Sequence, residues 1–103
     1  MRLALAQLAI LGFGTACCLP AAAAPDGKSV YERTCITCHA TGVANAPRFG
    51  DRAAWAPRTA AGSGALATSV IKGKGAMPAR AGVKTLSDAE IRAAVDYMLG
   101  AVR

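Results

Sequence analysis

The chain has 103 residues, with 12 Lys+Arg against 6 Asp+Glu and a formal net charge of +6. That length suits one small domain, and no basic run interleaved with aromatics points to nucleic acid. Four cysteines and a single histidine do not fall at the spacings of a four-ligand zinc site.

Met1 and Arg2 lead into Leu3–Ala24, which carries no charge and ends in four alanines. A charged start, an apolar middle and a small-residue finish predict a secretory signal peptide over residues 1–23, cleaved after Ala23. An uncleaved anchor is the alternative, since the uncharged stretch is long enough to span a bilayer. Pro20 and the weakly hydrophobic second half argue against it. A lipoprotein through Cys17 is weaker still, because Gly14 stands where a large aliphatic residue is expected. Export predicts a periplasmic protein. Residues 24–103 then form the mature domain, with 11 Lys+Arg against 6 Asp+Glu. At 80 residues a core made of side chains alone is marginal.

Asp26 is the predicted N-cap of a first helix over Gly27 to about Thr37. Val30, Thr34 and Cys38 share one face, with Tyr31 and Cys35 beside them. Gly27 with Tyr31 one turn on reads either as a close helix crossing or as an exposed glycine near a helix start. The helix delivers Cys35-Ile36-Thr37-Cys38-His39, the C-x-x-C-H pattern of c-type haem attachment. Two thiols on neighbouring turns can each add to a haem vinyl group, and the adjacent imidazole can bind the iron. A bare redox pair is the rival reading, but it belongs after a strand in a βαβ unit and no strand-like run precedes Cys35. Attachment of the haem outside the bacterial cytoplasm fits the leader.

Residues 40–50 form a loop in which Pro47 is a candidate acceptor for the non-ligating nitrogen of His39, or plain loop punctuation. Phe49 is a candidate core residue against the haem. A short helix is predicted from Asp51 to Trp55, stopped by Pro57. Trp55 reads as core packing or as a haem-edge residue whose indole N–H bonds a propionate. Arg58 is either a propionate partner or a solvated charge. A third helix, capped by Ser63, runs to about Lys72 with Leu66, Val70 and Ile71 inward, and Gly73 ends it.

Met77, in the loop Lys74–Arg80, is the candidate second axial ligand, stiffened by Pro78. Its competitor Met98 lies at core spacing on the last helix. That helix opens with a Ser87/Glu90 capping box and a Leu86/Ile91 staple. Ile91, Val95, Met98 and Val102 make its apolar stripe, widened by Ala94 and Leu99, and Tyr97 is placed to meet Gly27 and Tyr31.

So arranged, residues 26–100 resemble the small class I c-type cytochromes, and the bacterial c-five type in particular. The matching features are Gly27, Tyr31, the C-x-x-C-H pentapeptide, Ala46-Pro47, Trp55-Ala56-Pro57-Arg58, Ala76-Met77-Pro78 and Ala93-Ala94-Val95-Asp96-Tyr97-Met98. One departure stands out: Ala79 to Ser87 lacks the cysteine pair that members of this type often carry. The resemblance implies an all-α fold of about four helices around one haem, the first and last helices crossing. It also implies an axial His39–Met77 pair and one covalent haem c on Cys35 and Cys38. With both axial positions filled, the iron offers no site to a substrate, which predicts an electron carrier rather than an enzyme. Lys72, Lys74, Arg80 and Lys84 read as a basic rim for redox partners with acidic docking surfaces, or as solubilising charge. A fixed haem subunit of a larger redox enzyme and a five-coordinate gas-binding protein are the alternatives.

Overall fold

The computed structural model describes residues 7, 9–15 and 24–103. Most of the expected leader, its expected cleavage point after Ala23 and Cys17 lie outside them. Among the described residues no helix is long and apolar enough to cross a membrane.

The first helix, α1, covers residues 27–39. It is α-helical over Gly27–Val30, widens to a π-helix over Tyr31–Cys35 and returns to α over Ile36–His39. The others are α2 (Arg52–Thr59), α3 (Ser63–Lys72) and α4 (Asp88–Gly100), with short 3-10 turns at Val43–Asn45 and Ala79–Gly82. No strand occurs among the described residues, as the all-α expectation required.

Asp26 caps α1, its carboxylate accepting from the Lys28 N–H and the Ser29 hydroxyl. The helix runs past the expected end at Thr37 and carries His39 in its last turn. Gly27 lies against α4: a Cβ there would stand 2.1 Å from the Ala93 carbonyl oxygen and 3.0 Å from the Tyr97 Cβ. No side chain fits in that space, so the close crossing holds and the exposed-glycine reading falls. Tyr31, one turn on, fills the crossing with Phe49 and Tyr97 at ring-centroid distances of 4.8 and 5.5 Å.

Two expected boundaries move. Pro57 lies inside α2 rather than ending it. Proline's fixed φ suits a helix, and its cost is one missing donor and a crowded carbonyl; Asp51 caps the helix through the Ala54 N–H. Ser63 is the first residue of α3 and not its cap. The cap is Gly62, at φ 86° and ψ 160°, a conformation open to glycine and not to serine. Gly73 ends α3 as expected, also at positive φ, and the backbone of Met77 to Ala79 packs onto its bare Cα.

The Ser87/Glu90 capping box forms as predicted, and Leu86 and Ile91 are both buried beside it. Ile91, Ala94, Val95, Met98 and Leu99 of α4 join Val30, Tyr31, Trp55 and Ala67 in one core. Fully burying an aliphatic side chain contributes roughly 1.5–3 kcal/mol. Among the described residues, two of the ten buried hydrophobic ones are alanines, so this core is thin for its chain length.

Candidate functional site

The core is thin because a cavity of about 560 Å³ runs through it. Cys35, Cys38 and His39 of α1 line one part of it, with Pro47 from the following loop. Leu66 and Val70 of α3, Met77 and Pro78 from the next loop, and Met98 of α4 complete the wall. Residues up to sixty-odd positions apart in sequence therefore converge on one space.

Cys35 is half-buried and Cys38 exposed. His39 Nδ1 lies 2.8 Å from the Pro47 carbonyl oxygen. A carbonyl can only accept, so Nδ1 carries the proton and the lone pair remains on Nε2. The Phe49 N–H, bonded to the His39 carbonyl at 2.7 Å, ties the loop back onto the helix end. Between them Gly42, Ala44 and Asn45 all have positive φ, which turns the chain so that Pro47 returns beneath the histidine.

The Trp55 indole N–H donates to the Arg48 carbonyl at 2.8 Å, a fixed acceptor for a buried indole. Its ring belongs both to the core and to the cavity wall, and it stacks on His39 at 5.8 Å between centroids.

Met77 closes a tight hairpin, exchanging backbone hydrogen bonds with Lys74 at 2.9 and 3.0 Å. Met98, assigned by its spacing to the core alone, also lines the cavity. Arg80 does not join the expected basic rim. Its Nη1 donates to the Leu86 carbonyl at 2.9 Å and pairs with Asp88 at 2.8 Å. Lys72, Lys74 and Lys84 remain exposed.

The donor set fits a haem c. It offers two thiols at C-x-x-C spacing, one imidazole with its lone pair assigned, and two thioethers in an otherwise largely apolar wall. Among the described residues the charged ones lining the cavity are Arg58 and Lys74, with no acid among them, a balance suited to a group bearing two carboxylates.

Known proteins agree. The family described as "Cytochrome C oxidase, cbb3-type, subunit III" matches residues 22–98. Cytochrome c-555 of Chlorobaculum tepidum is 48% identical over 101 residues, 94% of this chain and 91% of that one. Cytochrome c5 of Azotobacter vinelandii is 39% identical over 79 residues, 75% of this chain and 95% of that one. Among solved structures, a chain from an electron-transfer complex of nitrite reductase with cytochrome c superposes with a TM-score of 0.71 at 53% identity, covering 75% of this chain and 94% of its own. The chain belongs to the class I monohaem c-type cytochromes.

This cytochrome carries one haem c, attached through Cys35 and Cys38, and is an electron carrier rather than an enzyme. Three features of its site escaped the sequence reading: the π-helical turn before Cys35, Met98 in the wall and the inward guanidinium of Arg80. Met98 was open to detection, since it shares a stripe with Val95 and Ala94, which also face the cavity. The other two depend on backbone geometry that residue type does not encode.

Proposed function

We propose that the protein is an exported, periplasmic one-electron carrier whose iron is held by His39 and Met77 and closed to exogenous ligands. The observation that carries this is the His39–Pro47 hydrogen bond, because it leaves Nε2 as a free donor on the cavity wall. When bound, the haem supplies a single-electron couple. Pro47 holds the histidine in one tautomer and orientation. The Lys74–Met77 hairpin presents a soft thioether, a ligand type that raises the potential. Trp55, Leu66 and Val70 exclude water from the cavity, and Arg58 on its wall would meet a propionate. Residues 1–23 are read as the leader, removed after Ala23.

Lys72, Lys74 and Lys84 attract partners with acidic docking surfaces, so the on-rate with such a partner should fall as ionic strength rises. An on-rate indifferent to salt would remove that part of the reading. The family's description as an oxidase subunit favours one alternative, a fixed haem subunit of a larger enzyme; recovery as a free monomer from periplasmic extract counts against it. The ligand assignment is tested with carbon monoxide on the reduced protein. The wild type should not bind the gas, whereas Met77→Ala should bind it readily with its haem still attached. Ready binding by the wild type would mean that Met77 is not a ligand.

A further inference from the structure

The segment that follows Met77 holds an unusual backbone. Arg80, Ala81 and Gly82 have φ of 54°, 52° and 81°, three consecutive residues in the left-handed region. Glycine enters it freely, but arginine and alanine do so at a cost. Non-glycine residues stay in such a state only where the surroundings hold them there.

The backbone alone does little of that holding. From Pro78 to Leu86 its hydrogen bonds are local turns: Ala81 to Pro78, Val83 to Arg80 and Leu86 to Val83. Such bonds shape the segment without fixing it to the rest of the domain. Packing of residues 77–79 onto Gly73 ties its start, and the side chain of Arg80 ties the turn itself. Its Nη1 donates to the Leu86 carbonyl and forms an ion pair with the Asp88 carboxylate. Leu86 is buried and Asp88 opens α4, so the guanidinium fastens the strained turn to the most firmly specified helix of the fold. The side chain is about one-third exposed, which shields the pair in part from solvent and salt. Three residues upstream is Met77, whose own anchor is the two-bond hairpin with Lys74. The loop that presents the thioether is therefore pinned by that hairpin on one side of Met77 and by Arg80 on the other.

We propose that Arg80 is a positioning residue for Met77, its clamp on Leu86 and Asp88 holding the left-handed turn that keeps the methionine loop closed over the cavity. The proposal rests on Met77 being the axial ligand. Arg80 touches no ligand itself. It sets the fraction of molecules in which the loop has swung away, and an external ligand competing for the iron reads that fraction directly.

The experiment compares imidazole binding to the ferric holoprotein in the wild type, Arg80→Ala, Asp88→Asn and the double variant, with the thioether-to-iron charge-transfer band recorded alongside. Loss of the charge-assisted hydrogen bond and the ion pair should raise imidazole affinity about tenfold in Arg80→Ala. Asp88→Asn should shift it the same way by less. The double variant should match Arg80→Ala rather than add to it, since the two residues act as a pair. The band should be present in all four without imidazole, and the thioether-bonded haem should remain in all of them. A wild type with the band whose variants bind imidazole within about twofold of it would overturn the role of Arg80 alone. A wild type without the band would show that Met77 does not bind, and the proposal would fall with that assignment. Asp88→Asn is a near-isosteric change at an exposed position, so the comparison survives even if Arg80→Ala folds poorly.

Discussion

At Gly27 a single missing methyl decides how closely two helices meet. The gap to the Ala93 carbonyl oxygen, 2.1 Å from where a Cβ would stand, leaves no rotamer to absorb the change, because both partners are backbone. Gly27→Ala should therefore cost about 2–3 kcal/mol through forced separation of α1 and α4. That corresponds to a loss on the order of 10–20 °C in melting temperature for a domain this small, read by thermal denaturation of the holoprotein. The sequence allowed two readings of this glycine, and only contact with a helix some sixty-six residues away separates them. His39 and Pro47 were more legible. A proline carbonyl eight residues from a histidine is within reach of a short loop, and the bond at 2.8 Å follows once Gly42, Ala44 and Asn45 reverse the chain. Arg80 was misread for the opposite reason. Its partners are the Leu86 carbonyl and Asp88, and charge spacing does not reveal whether a guanidinium turns inward or faces solvent.

At the scale of elements, α4 was the most legible because its capping chemistry is local. The Ser87 hydroxyl accepts from the Glu90 N–H while the Glu90 carboxylate accepts from the Ser87 N–H, and Arg33 of α1 pairs with the same carboxylate. These contacts, the Ser87 N–H foremost, hold the Glu90 carboxyl below its ordinary value. A depressed folded-state value means a stabilising contribution that is fully present above the unfolded value. It is lost as pH falls through the folded one. The difference in melting temperature between the wild type and Glu90→Gln should be widest above about pH 5 and should shrink on acidification toward about pH 3. A constant difference across that range would show that the carboxylate's charge plays no part. Less legible was α2, because a proline more often ends a helix than sits inside one. The π-helical turn Tyr31–Cys35 left no mark in residue type at all. Its wider turn changes the angular relation between Gly27, which must face α4, and the cysteines, which must face the cavity.

At the scale of the whole molecule, the cavity is the organising feature. Among the described residues, ten buried hydrophobic ones surround a space of about 560 Å³ instead of closing over it, so the haem completes the core as well as carrying the electron. Non-glycine residues with positive φ fall at only two places among the described residues, Ala44–Asn45 and Arg80–Ala81. One turn precedes the proline that holds His39, and the other follows the methionine loop. Strain thus sits beside each proposed axial ligand, where the backbone must meet a demand other than its own comfort. The outline of this arrangement was readable from the order C-x-x-C-H, Trp, Met-Pro and a capped last helix. The strained turns were not, because they are set by what the loops must reach.

The most direct test is the visible spectrum of the mature holoprotein, oxidised and reduced, before and after carbon monoxide. A sharp low-spin spectrum unmoved by the gas, with the haem retained through acid-acetone extraction, is the predicted result. A high-spin spectrum that shifts with carbon monoxide would contradict the closed His39–Met77 site and move the protein from electron carrier toward ligand binding.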